Sequence, residues 1–179
     1  RGPGYLRRWI SGERVTAQLA RQGPYDSPTS LRLLRSAGAA LAYLHDTGTT
    51  HGAMGPEAIW VAPTGRMWLL GWQWAVPRGD VPEGIAPDRH WTPYPPEWMA
   101  SSPVPTLASD QWQLAALCFT ALTGEVPPSV DAPPVTLLRP DCPKMLAAVI
   151  DRALAKDPAE YKRWHELYWQ YCTYLKQRR

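Results

Sequence analysis

Residues 51–61 read His51-Gly52-Ala53-Met54-Gly55-Pro56-Glu57-Ala58-Ile59-Trp60-Val61. The stretch ends in a short apolar run, 58–62, and a second one, 67–70, follows after Pro63-Thr64-Gly65-Arg66; two such runs around turn residues predict a hairpin. Upstream, Leu31, Leu34, Gly38, Leu41 and Leu44 recur at helical spacing, with Ser27-Pro28 suited to the start and Gly48 to a left-handed stop. A shorter helix is expected over 12–22, with Val15 and Leu19 on one face and Gly23-Pro24 after it. Downstream, Ser109-Asp110 is read as the cap of a helix whose apolar set, Trp112, Ala115, Ala116, Phe119 and Leu122, wraps almost all round, which marks a buried helix. Residues 143–155 predict an amphipathic helix through Met145, Val149, Ile150 and Leu154, and Asp157-Pro158 opens a last one carrying Trp164, Leu167, Tyr168, Tyr171 and Leu175. Pro clusters at 77–105 and 127–143 predict two long irregular segments.

A chain of 179 residues with 45% hydrophobic content can bury one substantial core. Its net charge of +3 is too mild to imply nucleic acid, although Arg1, Arg7, Arg8, Arg14, Arg21, Arg32 and Arg35 crowd the first segment against Glu13 and Asp26. Cys118, Cys142 and Cys172 are odd in number and far apart, which argues against a disulfide framework or a zinc site and for a reducing, cytoplasmic setting. His45, His51, His90 and His165 show no metal-ligand spacing, so no metal and no cofactor are expected. No apolar run approaches the roughly 20 residues that span a bilayer. The chain opens at Arg1 without Met, so a preceding segment is expected. Ten Trp against one Phe point to a dense core or a contact surface.

The stretch at 51–61 resembles the catalytic loop of protein kinases, His-Arg-Asp-Leu-Lys-Pro-Glu-Asn followed by an apolar strand, with His51 and Pro56-Glu57 retained. Four further stretches carry the likeness in the family's order. Leu69-Leu70-Gly71-Trp72 is similar to the strand and Asp-Phe-Gly turn that opens the activation segment, and Tyr94-Pro95-Pro96-Glu97 to the Ala-Pro-Glu that closes it. Ser109-Asp110-Gln111-Trp112-Gln113-Leu114-Ala115, followed by Leu122-Thr123-Gly124-Glu125-Val126-Pro127-Pro128, resembles the pattern of bacterial serine/threonine kinases, and Leu154-Ala155-Lys156-Asp157-Pro158-Ala159-Glu160 resembles their last signature. The Arg that pairs with the signature Glu in the family is Tyr161 here, leaving Lys162 or Arg163 to reach Glu97. Gly4-Tyr5-Leu6 looks like the hinge strand, and neither a Gly-rich loop nor a strand Lys precedes the match.

The resemblance implies roles as well as a fold. His51, Trp72, Glu97, Asp110 and Trp112 stand where the family holds its lobe together, and Asp110 would accept hydrogen bonds from the loop backbone. Ala53, Gly55, Ala58 and Gly71 stand where it has the general base, the phosphate-facing Lys and both magnesium ligands. Ala and Gly offer no oxygen ligand to magnesium, so the expected reading is a pseudokinase without catalytic residues. Trp60 has two readings, an indole filling the adenine site or ordinary packing at the hairpin.

The expected architecture is mainly α: the helical large lobe of a kinase with a small hairpin at the degenerate loop, spanning 1–179. Its parts are a hinge-like opening at 1–11, helices at 12–48, the loop and hairpin at 49–75, an irregular activation-like region at 76–108 and a helical subdomain at 109–179. The expected function is an inactive scaffold or protein-interaction module. Its partners would be proteins or an upstream small lobe, met by Trp60, Trp68, Trp164, Tyr168, Trp169 and Tyr174. An unconventional active serine/threonine kinase is the alternative, with Asp80, Glu83 and Asp88 as the unclaimed carboxylates near the cleft. A purely structural domain of a larger complex is another.

Overall fold

A computed structural model describes residues 9–77, 80, 94–100 and 104–155. Its longest described helices follow the periodicity of the sequence. After β1 (Glu13–Arg14) come α1 (Val15–Gln22) and α2 (Ser27–Asp46). The cap of α2 is Asp26, one residue ahead of the predicted Ser27: its carboxylate accepts the Thr29 N–H at 2.8 Å, and Pro28 occupies the first turn, where a missing N–H is harmless. Hydrogen bonds from the Thr29 side chain first and its backbone N–H second hold the Asp26 carboxyl below its ordinary pKa. α2 buries Ser30, Leu33, Leu34, Ala37, Gly38 and Leu41, and Gly48, with φ of +74°, turns the chain after it.

The hairpin pairs β3 (Ile59–Val61) with β4 (Met67–Leu69), in the register Ile59↔Leu69, Trp60↔Trp68 and Val61↔Met67. Strand alternation sends Ile59, Val61, Met67 and Leu69 into the core and leaves the tryptophans half-buried. The sheet has a third strand that periodicity does not reveal. β1 pairs antiparallel with β3, so residues 12–14 lie outside the helix predicted over 12–22. The reason is Gly12, whose φ is +142° and whose missing Cβ would lie 2.2 Å from the Val61 carbonyl oxygen. Gly12→Ala is therefore expected to lose about 1–3 kcal/mol, read as a lower urea midpoint at an unchanged m-value.

A second sheet joins β2 (Thr49–Thr50) to β5 (Val76–Pro77). Beyond it, α3 (Pro96–Ala100) and α5 (Val135–Leu138) are short helices inside the two segments predicted to be irregular. Proline begins these helices instead of breaking them: Pro96 opens α3, Pro134 precedes α5, and Pro143 precedes α6 (Lys144–Ala153).

α4 (Leu107–Thr123) is the axis of the core, with every residue from Ser109 to Leu122 buried. Its cap is Thr106 and not Ser109-Asp110. Thr106 Oγ1 accepts the Ser109 N–H at 3.0 Å and Ser109 Oγ accepts the Thr106 N–H at 2.7 Å, a reciprocal box that leaves the Asp110 carboxylate free to face elsewhere. α2 packs on one side of α4 and α6 on another. α6 buries Leu146, Ala147, Val149, Ile150 and Ala153, whereas Met145, predicted inside, is 50% exposed because it lies one position off that stripe.

Arg139, after α5, ties the far end of α4. Its guanidinium donates to the Leu122 carbonyl and, at 3.2 Å, to the Tyr25 carbonyl, while Asp141 accepts from its other edge in two bonds of 3.0 Å. Leu122 O is one of the last carbonyls of α4, which lack partners within the helix. Among the described residues no helix is long and apolar enough to cross a membrane. The expected last helix, with Trp164, Tyr168, Trp169 and Tyr174, lies outside the described residues, as do Gly4-Tyr5-Leu6, Lys162 and Arg163.

Candidate functional site

The segment after α2 is held from beneath by one carboxylate. Asp110, fully buried in the first turn of α4, accepts the His51 N–H at 2.7 Å on Oδ2 and the Gly52 N–H at 2.8 Å on Oδ1. His45, in the last turn of α2, donates Nε2–H to Oδ2 at 2.9 Å. Two backbone amides and an imidazole thus surround a charge with no solvent contact, the condition under which a buried carboxylate is stable. Gln113, one turn along α4, accepts the Met54 N–H at 3.2 Å, so the loop from 51 to 54 is fastened at both ends. The part played by His45 was not foreseen; a histidine closing a helix is common on surfaces, and only the fold brings it to Asp110.

His51 is fully buried and carries the next layer. Its Nε2–H donates to the Leu70 carbonyl at 2.8 Å, and its Nδ1 accepts the Ala53 N–H at 3.3 Å. Both bonds together need the neutral ring, and burial pushes the His51 pKa below 6.5 although Asp110 pulls the other way. A histidine kept neutral by folding contributes stability that is whole above the free value and is lost as pH falls below it, through the lowered folded value. Unfolding midpoints measured against pH should therefore fall below pH 6.5, and His51→Asn should remove that part of the slope.

Trp72 follows Gly71, whose φ of +91° puts it in the left-handed region, and stands edge-on to His51 with ring centroids 5.6 Å apart. The Trp72 indole N–H donates to the Leu69 carbonyl at 3.0 Å, yet the side chain is 41% exposed. Glu97 sits in the first turn of α3, and Trp112 is completely enclosed in the middle of α4.

A cavity of about 1090 Å³ opens above this platform, and Ala53, Ala58 and Gly71 all reach it while Gly55 does not. Its walls include Trp9, Trp68, Trp72 and Trp74. Trp60 is outside the lining; its indole nitrogen lies 2.8 Å from where a Cβ on Gly12 would stand, beside β1, whose Arg14 pairs with it in the sheet. Among the described residues Glu57 is the only carboxylate lining the cavity, and it is taken: Arg14 pairs with one oxygen and Thr16 Oγ1 donates to the other at 2.5 Å. Asp80 is exposed and outside the lining, and Glu83 and Asp88 lie outside the described residues. No group of three or more His, Cys, Asp or Glu among the described residues is placed to hold a metal ion. Cys118 and Cys142 are free and buried, and burial raises both thiol pKa values, so neither is poised as a nucleophile.

No family model matches the chain. Curated relatives do. The serine/threonine-protein kinase PknE of Mycobacterium tuberculosis is 29% identical over 167 residues, covering 86% of this chain and 29% of that protein. The serine/threonine-protein kinase PknH of the same organism is 25% identical over 169 residues, covering 86% of this chain and 27% of PknH. The serine/threonine-protein kinase RUNKEL of Arabidopsis thaliana is 25% identical over 140 residues, covering 72% of this chain and 10% of RUNKEL. The chain thus spans less than a third of the length of each of these relatives. Over most of its own length the chain is similar to serine/threonine-protein kinases.

Proposed function

We propose that this chain is the helical large lobe of a kinase-like domain that transfers no phosphate and acts through protein contacts. One observation carries the reading: the cavity where Ala53, Ala58 and Gly71 meet has a single lining carboxylate among the described residues, Glu57, and that group is already held by Arg14 and Thr16. Phosphoryl transfer depends on positioning and on metal ions that neutralise developing charge, and magnesium takes oxygen ligands in near-octahedral geometry. Two alanines and a glycine supply none from their side chains. Loss of a general base alone lowers rate about 10²- to 10⁴-fold, and loss of both metal ligands compounds it. The platform beneath the cavity is meanwhile intact, with Asp110, His51 and Gln113 all engaged. A preserved frame under a cavity whose one described carboxylate is already engaged supports a role in shape recognition.

The test is incubation of the full chain with ATP and magnesium, and separately manganese, following phosphate release and autophosphorylation. No transfer above the protein-free control is expected even at high chain concentration. Metal-dependent transfer that tracks the amount of chain would replace this reading with that of an unconventional kinase.

A further inference from the structure

The cavity has neighbours that bear on what fills it. Its lining includes four tryptophans and two arginines but no lysine, the residue types that dominate binding energy in protein interfaces. A second hollow of about 530 Å³ lies on the other side of the hairpin turn, and Ala62 lines both. Four arginines border the two hollows against two glutamates. Arg14 is paired with Glu57 and Arg21 with Glu13, so both glutamates are used. Arg66 in the first hollow and Arg32 in the second have no carboxylate ion pair among the described residues.

Those two arginines are held in position. The Arg66 guanidinium lies over the Trp68 ring, 4.2 Å from its centroid, which keeps its N–H edges available. Arg32 Nη2 donates to Thr29 Oγ1 at 2.9 Å. The hairpin turn is therefore flanked on each side by a guanidinium, next to an aromatic hollow.

We infer that the occupant is an acidic, apolar peptide segment of a protein partner. It crosses the hairpin turn, with carboxylates on Arg66 and Arg32 and an apolar side chain among the cavity tryptophans. This rests on the protein-contact reading above and adds the chemistry of the partner. Charge sets the choice: a basic segment would meet two guanidiniums that make no carboxylate ion pair among the described residues, and an uncharged one would leave them without one.

The experiment uses the full 179-residue chain and fluorescence anisotropy with two labelled probes, a Glu/Leu/Ser peptide and its Lys/Leu/Ser counterpart. Saturable binding of the acidic probe alone is expected, weakening as salt rises. Arg66→Glu and Arg32→Glu should each weaken it roughly tenfold or more, while Arg152→Glu, exposed on α6, should leave it unchanged. All are surface substitutions, and circular dichroism checks that each variant folds. Equal binding of the Lys probe overturns the inference, as does acidic binding indifferent to Arg66→Glu. So does a labelled single-stranded thymidine oligomer bound with the same arginine dependence, which would make the site one for nucleic acid. The phosphoryl-transfer assay runs beside it: activity there removes the underlying reading, whereas no transfer and no acidic binding removes only the partner chemistry.

Discussion

Replacing Asp110 by alanine is expected to cost about 3–5 kcal/mol, close to the whole stability of a marginal domain. The side chain has no solvent exposure and satisfies three donors at once, the amides of His51 and Gly52 and the imidazole of His45. Alanine leaves the His51 and Gly52 amides buried without that acceptor and takes from the part-buried His45 imidazole its partner. Asp110→Asn is not a mild version. Its amide keeps one oxygen and turns an NH₂ group toward a donor, so one contact becomes repulsive. Urea denaturation followed by circular dichroism measures the loss, and amide exchange at His51 and Gly52 localises it. A midpoint within experimental error of the parent would show that the carboxylate does not anchor the loop.

Trp112→Ala is the second large effect, again about 3–5 kcal/mol, because it empties a fully buried site on α4, the helix against which α2, α5 and α6 pack. For a chain of this length each kcal/mol moves the melting temperature by about 2–4 °C, so a drop on the order of 10 °C is expected. Trp112→Phe separates volume from polarity. The Trp112 indole nitrogen is buried and has no acceptor among the described residues, so removing that N–H relieves an unsatisfied donor while much of the packing stays. A distinctly smaller loss for Phe is expected by calorimetry. Equal losses for Phe and Ala would mean that the N–H makes a contact of real weight.

Which features could be read in advance follows from where their causes lie. The hairpin was legible because strand alternation and a turn sequence are local, and 59–61 against 67–69 needed nothing further. The burial of α4 was legible because its apolar residues go all round. β1 was not, since Glu13 and Arg14 carry no apolar signal and pair with β3 only because Gly12 is pressed against Val61. The caps of α2 and α4 each fell earlier than expected, at Asp26 and Thr106, because each helix start offers more than one polar residue, Asp26 and Ser27 in one and Thr106 and Ser109 in the other, and only geometry decides.

At the site, resemblance directed attention to Asp110 and His51, but nothing local pairs His45 with Asp110 across 65 positions. Of the four arginines bordering the two hollows, Arg14, Arg21 and Arg32 stand out in one dimension only as part of a crowded basic segment, and Arg66 does not stand out at all. In three, two of them are compensated by glutamates and two are not. The tryptophans divide between interior and surface: Trp112 is enclosed, while Trp9 and Trp72 stand open at the cavity.

Arg139 has a consequence for how the protein is made. Its bonds to Leu122 and Tyr25 close the end of α4 and the turn before α2, and the partner at Tyr25 is 114 positions away. Chains are synthesised from the amino terminus, and domains tend to fold as units when they emerge. A ribosome that has released residues 9–138 has delivered both sheets and the buried central helix, yet the Leu122 carbonyl still lacks its donor. Until Arg139 leaves the exit tunnel the nascent chain carries an open helix end beside apolar residues that α6 has yet to cover. The interval between the emergence of Arg139 and that of α6, which ends at Ala153, is therefore the one in which a chaperone has most to do.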